Sequence, residues 1–168
     1  MLVYHPAFDL HHCVFRMVRL LNRLPAGRYH IERLRVLDFY LLFPAQIPTI
    51  RFPSKLRGQK RRFESMANRY DRLVDPYQLF LRLEPFQTEA LGCLAAHALI
   101  SVEALTEGFV ERTQTEIPRK LKSSAEQADA QYPDVVELLT GALIEIPLYG
   151  RDGLRGRTQL FEYRYDPT

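Results

Sequence analysis

The sequence predicts a mainly α-helical domain with a small β component, an α+β fold carried by one domain over residues 1–168. Apolar residues recur at 3.6-residue spacing in several separate stretches, the signature of amphipathic helices. Prolines and glycines fall between those stretches and cut them into short elements. Period-two alternation is confined to a stretch near 108–117 and to the tail, so strands are few. The expected layout is a helical core over 7–113 with a wing near 108–117, then a C-terminal helix and strand within 133–166.

The first element is a helix over Ala7–Arg23. Pro6 suits a first helical position, where its missing N–H is not needed. Leu10, Cys13, Val14, Met17, Leu20, Leu21 and Leu24 form one apolar stripe, and His12, Arg16, Arg19 and Arg23 lie on another face. Pro25 and Gly27 end it. The stretch holds His5, His11, His12 and Cys13, which raises a metal site as a question. Zinc ligands on a helix need one face, at i and i+3 or i+4. His11 and His12 are adjacent and point about 100° apart, three arginines surround His12, and Cys13 is on the core face. An amphipathic helix is the reading; a partner surface using His5 and His12 is the alternative.

Ile31–Phe43 forms a second helix, with Ile31, Leu34, Leu37 and Leu41 on one stripe and Val36, Phe39, Tyr40 and Leu42 widening it. A helix this apolar sits centrally in a core, and Pro44 terminates it. Pro44, Pro48 and Pro53 exclude one long element in the next stretch. A polar helix over Ser54–Met66 follows, with Ser54 as N-cap and Gly58 weakening it. Asp75 or Pro76 starts a short helix that Pro85 breaks, and a further helix continues through about Ala98. Ser101 caps a short segment. Phe109 and Val110 open the wing. Residues 119–131 are polar and read as loosely held. Pro133 starts a helix reaching Ile146. Gly150, Gly153 and Gly156 make turns, and 159–166 alternates as a strand with an aromatic face of Phe161, Tyr163 and Tyr165. Helices followed by a basic helix and late strands suggest a winged helix-turn-helix-like domain, with an irregular helical bundle as the alternative.

The net charge of +3 is too small to imply a nucleic-acid partner by itself. Cys13 and Cys93 lie in apolar surroundings and read as free buried thiols in a reducing compartment, a disulfide between them being the alternative. His11, His12, Arg16 and Arg19 interrupt the N-terminal apolar stretch, so it is not read as a signal peptide. No apolar run approaches the ~18–20 residues a membrane span needs. The expected location is the cytoplasm.

The blocks "YHPAFDLHHCVFRMVRLL", "IERLRVLDFYLLFP" and the closing "GLRGRTQLFEYRYD" resemble the middle components of ABC-three-component systems. These are bacterial conflict cassettes, related in layout to Lamassu-type antiphage and antiplasmid systems. The resemblance spans the chain. It implies a non-catalytic accessory subunit bridging an SMC-like ABC ATPase and an effector, a nuclease or another effector protein, with no cofactor. It also implies contact with double-stranded DNA, by analogy with accessory subunits that dock near SMC ATPase heads. A stand-alone winged-helix transcription regulator is the alternative function.

The residues themselves offer little chemistry. There is no G-x-x-x-x-G-K-[ST], and "GRDGLRG" lacks the strand, helix and lysine of a phosphate loop, so it reads as a turn. There is no G-x-S-x-G. Asp38 and Glu162 read as hydrogen-bonding structural acids, and His97 as a core or boundary histidine. The chain is therefore not read as an enzyme. One feature carries functional weight: Arg51, Lys55, Arg57, Lys60, Arg61 and Arg62, flanked by Arg69 and Arg72. It is a solvated helix face, a phosphate-backbone contact, or a site for an acidic partner. Base-reading amides are sparse, only Gln59 and Asn68 lying near, which favours nonspecific binding. Arg151, Arg155, Arg157 and Arg164 extend the patch, or Arg157 and Arg164 pair with Glu162 and Asp166. The partner surface is assigned to the last strand: Arg157, Phe161, Tyr163, Arg164 and Tyr165.

Overall fold

Asp9, not Pro6, starts the first α-helix. In the computed structural model, which describes residues 5–65 and 75–161, Pro6–Phe8 is a single 3-10 turn, capped by His5 Nδ1 accepting from the Ala7 N–H at 3.1 Å. The chain then extends at Asp9, whose carboxylate accepts from the His12 N–H at 3.0 Å. That side chain satisfies a first-turn donor, so helix α1 runs Leu10–Arg23 rather than from Ala7. Its stripe is as expected: Cys13, Met17, Leu20, Leu21 and Leu24 are buried. Among the residues read as its polar face, Arg16 and Arg19 are not solvated. They form internal ion pairs, Arg16 Nε with Asp38 at 2.6 Å and Arg19 Nε with Asp129 at 2.7 Å.

Helix α2, Ile31–Leu42, is buried at every residue from Leu34 to Leu41. It therefore carries the charged side chains of Arg35 and Asp38 into the core, and each finds partners. Asp38, fully buried, accepts from Arg16 Nε and Nη2 and from Gln87 Nε2 at 2.8 Å. Gln87, fully buried, accepts from Arg35 Nε at 3.0 Å and donates to the Arg35 carbonyl at 3.2 Å. Such pairing offsets the cost of taking these polar groups out of water.

Helix α3 is Arg57–Glu64, preceded by 3-10 segments at Pro44–Thr49 and Ser54–Leu56; the Ser54 side chain makes no cap bond. Helix α4 spans Pro76–Ala96, with Asp75 capping the Gln78 N–H at 3.0 Å. Pro85 sits inside it and does not break it. Buried Phe80 and Leu83 before the proline and Gln87, Ala90, Leu91 and Leu94 after it anchor both halves. Those tertiary contacts outweigh one lost backbone bond. Helix α1 packs on α4, on α6 (Arg119–Gln131) and on α2, which makes α1 the hub of the domain.

The expected wing takes another form. Strand β2, Phe109–Glu111, pairs antiparallel with β1, Arg28–His30, far upstream, in the register Tyr29↔Val110. Residues 113–117 carry no strand. The sheet staples the α1–α2 connection to the link between α5, Val102–Thr106, and α6. Ser101 caps α5, its hydroxyl accepting from the Ala104 N–H at 3.1 Å.

The stretch read as loosely held is helix α6, Arg119–Gln131. Its few inward positions do specific work: Ala125 is fully buried and Asp129 holds Arg19. Helix α7, Pro133–Glu137, continues as a π-helical turn over Leu138–Ala142. The glycine-rich tail contains helix α8, Leu154–Thr158. Gly153 is required before it, because a Cβ there would collide with the Tyr149 carbonyl and lie 2.7 Å from the Leu148 oxygen. Of the expected last strand, Gln159 is left-handed and Phe161 is a bend; 162–166 lies outside the described residues. Phe161 is half-buried against Phe80, with ring centroids 5.0 Å apart, and beneath the Arg155 guanidinium.

Candidate functional site

Phe63, 1% exposed, anchors α3 against the domain. Helical geometry then fixes where its charges go. Arg57, Lys60, Arg61 and Glu64 stand at i, i+3, i+4 and i+7, one face of the helix. That face, together with Thr49, Ile50, Arg51 and Phe52, lines an open cleft of about 400 Å³. Four cations and one carboxylate thus meet around one concavity, from two separate chain segments. Arg57, Lys60 and Arg61 are exposed and make no ion pair among the described residues. Like charges spaced in this way cost a helix a few tenths of a kcal/mol per pair.

The other two residues of the expected basic set stand apart. Arg62, about 100° around the helix from Arg61, reaches Asp134 of α7 at 2.6 Å. Lys55 is exposed on the 3-10 turn and does not line the cleft. Arg69, Arg72 and Asn68 lie outside the described residues.

The C-terminal set divides likewise. Arg157 is engaged internally: Nη1 donates to the Arg51 carbonyl at 2.7 Å and Nε to the Asp152 carbonyl at 2.6 Å. Its ion-pair partner is Asp152 at 3.4 Å. Arg155 pairs with Glu32 of α2. Tyr163, Arg164, Tyr165, Glu162 and Asp166 lie outside the described residues.

The nucleophile candidates are placed as follows. Burial, and then the neighbouring Asp38 charge, push the Cys13 thiol up to about 12, which keeps it protonated. Cys93 is free and half-buried. His97, expected in the core or at its boundary, is exposed at the C-cap of α4. Cys93 and His97 border an apolar groove of about 430 Å³ between α1, α4 and the start of α6, floored by Leu10, Val14, Leu94 and Leu121. The sequence did not mark this groove, because its lining comes from distant segments. Among the described residues no cluster of three or more His, Cys, Asp or Glu could hold a metal ion, and no helix is long and apolar enough to cross a membrane.

The fold and site define a mainly helical domain with a small two-stranded sheet, in which Arg51, Arg57, Lys60 and Arg61 line one open cleft. The chain belongs to the family described as ABC-three component (ABC-3C) system Middle Component 5, whose model matches residues 2–166. No curated protein and no solved structure matches it.

Proposed function

We propose that this protein is a non-catalytic accessory subunit of a bacterial antiphage or antiplasmid defence complex, Lamassu-like in layout and cytoplasmic. It bridges an SMC-like ABC ATPase and an effector such as a nuclease. Its basic cleft grips the phosphate backbone of double-stranded DNA without reading sequence. Family membership supports the subunit role, since a middle component is one part of a multi-component system. The observation that carries the DNA contact is the convergence of Arg51, Arg57, Lys60 and Arg61 on one cleft. Four cations unpaired by carboxylates and mutually repulsive are poor for stability and suited to a polyanion.

The test has two parts. Tagged purification from the native gene cassette, with the intact assembly weighed by mass spectrometry, should recover a large ATPase and an effector. A homodimer alone would point to a stand-alone regulator instead. Binding of a 30-base-pair random-sequence duplex should show log K falling with log salt at a slope near about −3.6 for four contacts. Arg57→Glu, Lys60→Glu and Arg61→Glu together should flatten that slope by about 2.7 and leave the helical spectrum unchanged. An unchanged slope would remove the cleft from the proposal.

A further inference from the structure

We infer that the C-terminal turn sets the orientation of Arg51 in the cleft, with Arg157 and Gln159 as positioning residues. The inference rests on the DNA reading of that cleft.

Arg51 belongs to neither a helix nor a strand, so nothing local fixes it. Its fixation comes from residues more than a hundred positions later. The Arg51 N–H donates to the Arg157 carbonyl at 2.9 Å. The Arg157 guanidinium donates back to the Arg51 carbonyl at 2.7 Å, while its Nε holds the Asp152 carbonyl. The Arg51 main chain is therefore bonded on both its donor and its acceptor. The side chain is held as well. With the Gln159 amide oxygen turned toward it, that oxygen accepts from Arg51 Nε at 3.2 Å and from Nη2; the network assigns this orientation.

A second, independent observation points to Gln159. Its backbone is left-handed, at φ 57°, directly after α8. A non-glycine residue there is strained, and such strain persists where the surroundings demand it. Here the left-handed turn lets Gln159 face Arg51 while Leu160, 1% exposed, enters the core. Glycine would relieve the strain but supply no amide. The clamp leaves Arg57, Lys60 and Arg61 untouched, so its effect should pass through Arg51 alone.

The test measures binding of the full chain to the same 30-base-pair duplex across a salt series. Gln159→Gly should fold with a melting temperature at or above wild type, because φ 57° suits glycine. It should nevertheless weaken binding about three- to ten-fold and flatten the salt slope by up to about 0.9, the share of one phosphate contact. Arg157→Lys keeps the charge, loses the planar fork, and should shift binding in the same direction. Either change combined with Arg51→Ala should be no weaker than Arg51→Ala alone, since both act through one side chain. Wild-type binding by Gln159→Gly and Arg157→Lys, or losses that add in full to that of Arg51→Ala, would overturn the assignment. If Arg51→Ala binds as wild type while the triple α3 reversal weakens binding, the positioning role falls and the cleft stands. If neither weakens binding, both fall.

Discussion

Replacing Asp38 with alanine isolates what the buried polar network contributes. Asp38 is fully buried, and its partner Arg16 is 5% exposed. Burial pulls the Arg16 pKa down, but the Asp38 charge and hydrogen bond outweigh it, and the net direction is up. Asp38→Ala therefore leaves a guanidinium in the core without its counter-ion and Gln87 Nε2 without one acceptor. Stranding one member of a buried pair costs about 3–5 kcal/mol. With a urea slope of about 2 kcal/mol per molar for a chain this size, the unfolding midpoint followed by circular dichroism should fall by about 2 M. Removing both charges, as Arg16→Met with Asp38→Leu, should cost clearly less than the two single losses summed, because no lone charge remains. A loss under about 1 kcal/mol for Asp38→Ala, or full additivity in the double variant, would refute the reasoning. Either result would mean that Arg16 reaches water when its partner is gone.

Other expectations follow from single observations. At pH 8 a small thiol reagent should modify Cys93 readily and Cys13 at least a hundred-fold more slowly, with both reacting at once in urea; equal native rates would contradict the burial of Cys13. Because the folded Cys13 holds its proton from an ordinary 9.0 up to about 12, its contribution is intact below about pH 9 and lost as pH rises toward 12. Thermal melts should therefore decline across that alkaline window. Ala98, left-handed at φ 56°, closes the end of α4, where the Leu99 N–H bonds the Leu94 carbonyl at 2.9 Å. Ala98→Gly should raise stability by about 0.5–1 kcal/mol in the same urea assay. Gly153→Ala should lower it by about 1–3 kcal/mol through overlap with the Tyr149 carbonyl, and a neutral result would show that this turn yields.

Local patterning made the helices legible, and long-range pairing hid the rest. The stripe of α1 follows from periodicity, the central place of α2 from its apolar circumference, and the cap at Ser101 from residue type. Pro85 misled because propensity is local, whereas the apolar anchors on both sides of it act through tertiary packing. Residues 119–131 read as loose because only Ala125 and Asp129 face inward strongly, and Asp129 matters through an arginine 110 positions away. The wing misled because three residues of alternation do not name their partner strand, and β2 chose β1. Within the candidate site, the basic run was visible in composition. The split between Arg61 and Arg62 required helix phase. Gln159 carried no signal, since a left-handed glutamine has no sequence signature.

The arginines sort by what the fold asks of them, and that sorting strengthens the case for the cleft. Arg16, Arg19, Arg33, Arg35, Arg155 and Arg157 all donate to carboxylates, an amide or carbonyls within the domain. They come from α1, α2 and the C-terminal turn, the elements that build the core and its edges. Each replaces water with a protein acceptor, as burial demands. Arg57, Lys60 and Arg61 are exposed on α3 and make no ion pair among the described residues. The modest net charge of +3 does not report this local grouping of cations. The charge on which the DNA proposal rests is therefore local. A screen that scrambled surface charge elsewhere at constant net charge should leave DNA affinity and its salt slope intact, whereas moving only these three cations to the opposite face of the domain should weaken binding and flatten the slope by about 2.7.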